Sequence, residues 1–183
     1  MDAIVAAALK KWPAVPACYG WLALDARGQW RLRDDRVQAA GPFPQSKGSV
    51  LHHEGLRAFI ARNYAPDAAG CWHFQNGPQR VYVELEAAPL VLGVQRHEGA
   101  WSVRSEQLAG PGPLAVRGAW LDEQGRLFLE TERGHGLVHS LDMDAAADAL
   151  TAGHWPLRGT LRFEHMPARF GYRLSPQRAQ APR

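Results

Sequence analysis

The chain has 183 residues, a formal net charge of +3, and 46% hydrophobic against 21% charged residues. This length and balance are typical of one globular protein, and they exclude a disordered or fibrous chain. The mild positive charge is not gathered into a basic run, so it does not by itself indicate a nucleic-acid partner.

The first predicted element is an N-terminal helix within residues 1–17. Its apolar residues lie on one side of a helical wheel and are Ile4, Val5, Ala8, Leu9 and Trp12. This apolar stretch is too short to span a membrane, and basic residues follow it, so we expect neither a membrane segment nor a secretory signal. With only Cys18 and Cys71, no disulfide framework is indicated. We therefore expect a cytoplasmic protein.

Residues 18–96 predict a hairpin, a helix and a second hairpin. Strand-like runs on either side of Asp25-Ala-Arg-Gly28 indicate a first hairpin closed by an Asp-x-x-Gly turn. Asn76-Gly-Pro-Gln79 predicts the turn of the second hairpin, and another strand follows from Leu90 to Gln95. The helix between the hairpins is predicted from an apolar face made of Leu56, Phe59, Ile60 and Tyr64.

Residues 115–183 predict a second copy of this unit, joined to the first by a strand and loop at residues 97–114. Asp122-Glu-Gln-Gly125 repeats the turn, and Asp142 is the expected N-cap of a helix that ends at Leu150. The closing hairpin is predicted from matches at a constant offset, namely Gly159, Phe163, Pro167, Arg169 and Leu174. We therefore predict an α+β fold, a single compact protein of residues 1–183, in which antiparallel sheets with flanking helices arise from tandem duplication of a hairpin-helix-hairpin unit.

The segment Phe74-Gln-Asn-Gly-Pro-Gln-Arg80 resembles an uncharacterised family of small proteobacterial proteins of unknown function. The resemblance covers residues 49–93, and it implies a stable family fold in a bacterial protein. It carries no catalytic or binding residue over to this chain, so function has to be argued from the residues themselves.

Alternation along the second hairpin separates its side chains into two faces. If residues 76–79 form the loop, His73 lies opposite Tyr82 across the strands. The apolar face, expected in the core, consists of Trp72, Phe74, Val81, Val83 and Leu85. The other face, which we call the polar hairpin face, consists of Cys71, His73, Gln75, Arg80, Tyr82 and Glu84.

Two interpretations of the polar hairpin face stay open. It could be an ordinary solvated sheet face, or a small site where a thiol, an imidazole, a phenol and a carboxylate converge. The matching positions of the last predicted hairpin include Thr160 and Arg162, so such a site would occur only once. We expect Tyr82 outside the core and partly covered by another element, ligand or subunit. The candidate ligand-binding or partner-binding residues are Cys71, His73, Arg80, Tyr82 and Glu84.

The histidines raise the possibility of a metal site, but their spacing does not support one. The pairs His52-His53, Cys71-x-His73 and His135-x-x-x-His139 do not supply the four convergent ligands of a structural zinc site. His135 lies between two glycines, which predicts a turn. We therefore expect neither a bound metal nor a cofactor.

The preferred prediction of function is a non-catalytic binding or protein-interaction module, whose partner is a small molecule or a protein and which could form a homodimer. One alternative is a small enzyme with an acid/base or thiol site on the polar hairpin face. A third is a single-stranded nucleic-acid binder, which Tyr82 beside Arg80 favours and the core-facing Phe163 and Phe170 disfavour. No nucleotide-binding loop or hydrolase nucleophile motif occurs in the sequence.

Overall fold

Twelve strands form two six-stranded sheets in the computed structural model, which describes residues 1–110 and 112–180. Position 111 of the predicted connecting segment and positions 181–183 of the predicted second unit lie outside the described residues. Helices flank both sheets, so the predicted α+β class is confirmed. Within the described ranges, no helix is long and apolar enough to cross a bilayer.

The first sheet is built from the first half of the chain. Its strands and the neighbouring helices are α1 (Ala3–Lys11), β1 (Cys18–Leu24), β2 (Trp30–Leu32), α2 (Asp35–Ala39), β3 (Ser49–Val50), α3 (Glu54–Arg62), β4 (Tyr64–Pro66), β5 (Trp72–Asn76) and β6 (Gln79–Leu85). The strand order is β3-β2-β1-β6-β5-β4. Neighbouring strands are antiparallel except β1 and β6, which run parallel.

The second sheet is built from the rest of the chain. Its elements are β7 (Leu90–His97), β8 (Ala100–Arg104), β9 (Val116–Leu121), β10 (Leu127–Thr131), β11 (Gly134–Val138), α4 (Met143–Thr151), β12 (Leu157–Thr160), α5 (Met166–Phe170) and α6 (Pro176–Gln180). The strand order is β12-β9-β10-β11-β7-β8, with parallel pairs at β12–β9 and β11–β7. The other neighbours are antiparallel.

Both sheets share one plan, in which a three-stranded meander is followed by a helix and by a strand that returns parallel to the first. The plan runs β1-β2-β3, α3 and β6 in the first sheet, where β4 and β5 come between α3 and β6, and β9-β10-β11, α4 and β12 in the second. This two-sheet layout fits the predicted internal duplication. The sheets are mixed rather than purely antiparallel, because connections that include a helix bring β6 back parallel to β1 and β12 back parallel to β9, and β11 also pairs parallel with β7.

The Asp-x-x-Gly turns of the two units have the same geometry. The carboxylates of Asp25 and Asp122 each accept hydrogen bonds from the N–H groups two and four residues later, at 2.8–3.0 Å. Asp67 builds a third such turn with the N–H groups of Ala69 and Cys71, both at 2.9 Å. Because the turn occurs three times, it is a local device of this fold and does not by itself identify a duplicated unit.

The closing hairpin predicted for the second unit is wrong. After β12 the chain forms a 3₁₀ turn at Phe163–His165 and then the short helix α5. Pro167 stands in the first turn of α5, where its missing N–H costs little, and Gly171 ends the helix with a φ of +68°. Since the spacing of Phe163 and Phe170 fits two helical turns as well as a strand pair, the pattern did not separate these structures.

The predicted N-terminal helix exists but buries little of its apolar face. In α1 only Val5 is buried, whereas Ile4 and Trp12 are 78% and 51% exposed. The predicted helix after Asp142 also exists as α4, but the Asp142 side chain does not cap it. Its Oδ2 instead accepts a hydrogen bond from the Val94 N–H at 3.1 Å, which ties the start of this helix to β7.

Candidate functional site

The register predicted for the second hairpin is confirmed. β5 and β6 pair with His73 opposite Tyr82 and Gln75 opposite Arg80. The ring centroids of His73 and Tyr82 are 5.5 Å apart. The apolar face is in the core as expected, with Trp72, Phe74, Val83 and Leu85 all buried.

The interpretation of the polar hairpin face as a solvated surface is wrong. Five of its six side chains are buried, namely Cys71, His73, Gln75, Tyr82 and Glu84. Arg80 is the exposed member of the set. Because Tyr82 is only 6% exposed, the expectation that its ring lies outside the core is also wrong.

Tyr82 is held between an aromatic ring and a carboxylate. Its ring stacks on Tyr19 with centroids 4.6 Å apart and 7° between the planes. Its hydroxyl donates a hydrogen bond to Asp67 Oδ2 at 2.9 Å. Burial, reinforced by the bond to Asp67, raises the pKa of Tyr82 to about 12, so the phenol remains a neutral donor at physiological pH.

The C-terminal segment of the second half covers another part of the polar hairpin face. The N–H of Arg173 donates to the Gly70 carbonyl at 3.1 Å, next to Cys71. The Glu84 carboxylate accepts a hydrogen bond from the Gln177 N–H at 3.1 Å. The buried candidate residues therefore meet elements of their own chain, and beside Gly70 and Glu84 this face is an internal interface between the two halves.

Burial governs the protonation of the thiol and the imidazole on this face. It raises the pKa of the Cys71 thiol. It also lowers the pKa of His73, whose Nδ1 has no hydrogen-bond partner in the part of the chain that is described. At neutral pH the thiol is therefore protonated and the imidazole neutral, and the two do not form a thiolate–imidazolium pair.

A second group of buried polar side chains lies on one face of the second sheet, where the sequence predicted none. His135, expected in a turn between two glycines, belongs to β11 and is 4% exposed. Its ring stacks on Phe170 with centroids 3.8 Å apart and lies parallel to Phe128 at 5.5 Å. Burial lowers the pKa of His135 to about 3, so the imidazole is neutral. We call the surface formed by Trp120, Phe128 and His135 the aromatic sheet face.

This face concentrates unpaired polar atoms. Within the described residues, five buried side-chain polar atoms lack a hydrogen-bond partner, and four belong here: Nδ1 and Nε2 of His135, Nε1 of Trp120 and Nη2 of Arg126. Trp120 packs edge-on against Phe170, and the Arg126 guanidinium lies 4.5 Å from the Phe163 ring centroid. Each unpaired atom has lost its hydrogen bonds to water without regaining them from the chain, which is costly.

A pocket of about 450 Å³ lies beside this group, between the β10–β11 hairpin and the end of α5. Its lining includes Glu130, Gly134, His135, Arg169 and Phe170. We call it the His135 pocket. Its walls therefore combine two opposite charges with an imidazole and an aromatic ring.

Strand alternation could have revealed the aromatic sheet face. Glu130 pairs with His135, and Phe128 pairs with both Trp120 and Leu137, so all these side chains point to one side of the sheet. The glycines on both sides of His135 favoured a turn instead, because glycine is typical of turns and uncommon inside strands.

Two of the histidines considered as metal ligands act at helix starts. Nδ1 of His53 accepts a hydrogen bond from the Leu56 N–H at 3.0 Å, and Nδ1 of His139 accepts one from the Leu141 N–H at 3.2 Å. Among the residues that the structure describes, no group of three or more His, Cys, Asp or Glu side chains could hold a metal ion.

The fold defines an α+β protein with two mixed sheets that share one buried core. Residues 1–177 match the family DUF2944, described as "Protein of unknown function (DUF2946)", and the chain belongs to this family. This description assigns no function to the family, which is consistent with the uncharacterised family expected from the sequence.

A crystal structure of a DUF1285 family protein from Shewanella baltica OS155 is similar to this chain. The similarity covers 70% of this chain and 91% of that one, with a TM-score of 0.49 and 15% sequence identity. No curated protein matches the chain.

Proposed function

We propose that this protein is a non-catalytic binding protein that holds a small molecule in the His135 pocket. The observation that carries the proposal is a buried imidazole with both nitrogens unpaired, in the wall of a pocket. A neutral imidazole offers one N–H donor and one acceptor. A ligand that supplies the complementary groups restores the hydrogen bonds that folding removed, and this gain favours its binding.

The neighbouring groups favour a planar ligand that carries oxygen acceptors. Arg169 lines the pocket, and its guanidinium supplies N–H donors, whereas Trp120 and Arg126, which hold the other unpaired donors of this face, do not line it. Phe170 lines the pocket and offers aromatic surface to a flat ring. We therefore expect an aromatic compound with carbonyl or carboxylate oxygens.

Binding agrees with these residues better than acid–base or thiol catalysis does. A general acid or base works best with a pKa near the operating pH, whereas burial lowers the pKa of His135 to about 3. On the polar hairpin face, burial raises the pKa of the Cys71 thiol, which is the opposite of what activates a nucleophile. The enzyme alternative has weaker support at both places.

The single-stranded nucleic-acid alternative depended on Tyr82 as an exposed stacking platform. Its ring is buried against Tyr19 and its hydroxyl is bonded to Asp67, so it does not offer a free face to a base. Arg80 remains exposed as a cation, but an isolated arginine is common on any protein surface.

Ligand-observed NMR and thermal unfolding with three planar probes, benzoate, nicotinamide and adenine, test the proposal. At least one probe is expected to bind the wild type and to raise its Tm. His135→Phe keeps the aromatic stack but removes both nitrogens, so it should weaken that binding about tenfold or more. His97→Phe changes an exposed position outside the pocket and is the matched control. The proposal is wrong if no probe binds, or if His135→Phe binds as tightly as the wild type.

A further inference from the structure

A second pocket, of about 410 Å³, lies at the seam between the two halves of the chain. We call it the seam pocket. The tip of the β1–β2 hairpin forms one side through Arg27 and Gly28. The rest is formed by β7, by the end of β8 with the two residues at 106–107, and by both ends of the 3₁₀ turn Ser140–Asp142 that precedes α4. Pockets at the junction of two structural units are frequent ligand sites.

Strand register places polar side chains on the side of the second sheet that faces the seam pocket. Gly93 and Gln95 alternate on β7 and therefore share a face, and Arg104 of β8 lies opposite Gly93. All three line the pocket, together with His139 just after β11. Gly93 carries no side chain, and the position that its Cβ would take lies 3.5 Å from Asp142 Oδ2.

Gln107 fixes the wall of the seam pocket. Its side chain is 2% exposed, and its amide oxygen accepts a hydrogen bond from the Val91 N–H at 2.8 Å. The amide nitrogen donates to the Gly28 carbonyl at 3.2 Å. Since Val91 belongs to β7 and Gly28 to the first hairpin, one buried side chain joins the two halves and holds the pocket in shape before any ligand binds.

The cationic groups of the seam pocket are unengaged. The side chains of Arg27 and Arg104 line it and form neither an ion pair nor a hydrogen bond with any of the residues at 1–110 and 112–180. His139 accepts a hydrogen bond from the Leu141 N–H at its Nδ1, so in the neutral imidazole Nε2 carries the proton and is a donor.

The seam pocket also has two acidic groups, and one of them has a cationic partner. Glu106 forms an ion pair with Arg57 of α3. Asp142 accepts the hydrogen bond from the Val94 N–H described above. Asp142 keeps its negative charge, whereas that of Glu106 is paired with Arg57, so the two arginines of the lining outnumber its one carboxylate without a cationic partner among the described residues, and the balance of charge is positive.

We propose that the seam pocket binds the oxyanion group of a small ligand, a phosphate or a carboxylate, between Arg27 and Arg104. A guanidinium group donates two parallel hydrogen bonds to such an oxyanion, which makes paired arginines effective and specific receptors. The Nε2–H of His139 adds a third donor from another side of the pocket. The inference does not depend on the His135 pocket.

Calorimetric titrations of the full-length protein with inorganic phosphate and, separately, with succinate at constant ionic strength test this inference. We expect saturable binding of at least one of the two anions, and the comparison identifies the preferred oxyanion. Arg27→Gln and Arg104→Gln should each weaken binding about tenfold, because each removes one charge-assisted interaction. Arg36→Gln removes the same charge from α2, outside the pocket, and should bind like the wild type.

Three outcomes overturn the inference. They are the absence of binding by both anions, unchanged binding in the Arg27 and Arg104 variants, and equal weakening in Arg36→Gln, which would reveal a general charge effect. His135→Phe should bind the anion as the wild type does. A failure of the His135 pocket proposal therefore leaves this test intact.

Discussion

Two sets of polar side chains are buried in this protein, and they differ in what the chain supplies to them. On the polar hairpin face, Tyr82 and Glu84 find partners in Asp67 and in the backbone of Gln177. On the aromatic sheet face, His135 finds none for either ring nitrogen among the described residues. Burial of a polar group therefore does not identify a functional site, whereas a cluster of unpaired buried atoms is a far better indicator.

The largest expected effect is a loss of stability when Tyr82 of the polar hairpin face is truncated. Tyr82→Ala should lower the free energy of unfolding by about 3–5 kcal/mol, because it removes a buried ring stacked on Tyr19 and leaves Oδ2 of Asp67 without its donor. Tyr82→Phe should cost less, about 1–2 kcal/mol, since only the hydroxyl is lost. Urea unfolding followed by circular dichroism measures both changes.

Trp21→Ala is the matched control for this prediction, because it also truncates an aromatic residue of the first sheet but at a 43% exposed position. It should change stability by less than about 1 kcal/mol. If Tyr82→Ala lowers stability no more than Trp21→Ala does, the polar hairpin face does not have the structural role described above. Its residues then become candidates for binding again.

Lowering the pH should destabilise the folded protein through His135 on the aromatic sheet face. The folded pKa of His135 is about 3 against 6.5 for an ordinary histidine, so between these values the unfolded chain takes up a proton that the folded protein does not. Through this residue the free energy of unfolding should fall by about 2 kcal/mol from pH 7 to pH 5. The lowered pKa of His73 acts in the same direction, so His135→Phe should reduce the slope without abolishing it. Urea unfolding of both proteins at the two pH values measures the difference, and equal slopes would contradict the burial of His135.

The smallest expected effect is an increase in stability. At pH 7, His135→Phe should raise the free energy of unfolding by about 1 kcal/mol, because an apolar ring of similar shape replaces two unpaired nitrogens in the stack. Removing a polar group from a binding site commonly stabilises the folded protein, because such groups are kept for function at the expense of stability. Thermal unfolding beside the His97→Phe control gives the comparison, and a loss of stability would mean that the imidazole nitrogens are paired after all.

Sequence reasoning succeeded where neighbouring residues decide the structure. The register of β5 and β6 follows from the turn residues and from alternation, and the geometry of the Asp25 and Asp122 turns follows from a short side chain that bonds its own backbone. It failed at Phe163–His165 and α5, where a period that suits two helical turns also suits a hairpin.

The amino-acid sequence by itself determined the α+β class, the hairpin register and the membership of the polar hairpin face. Only the tertiary structure decided whether that face is exposed to solvent or buried. It also decided that His135 lies in a strand, stacked between aromatic rings, and not in a turn. The reason is that both outcomes depend on distant segments. Glu84 meets a residue 93 positions away, and the ring on His135 comes from α5. The packing of these distant segments depends on many contacts between elements. It therefore cannot be predicted from the spacing of residues within a single element.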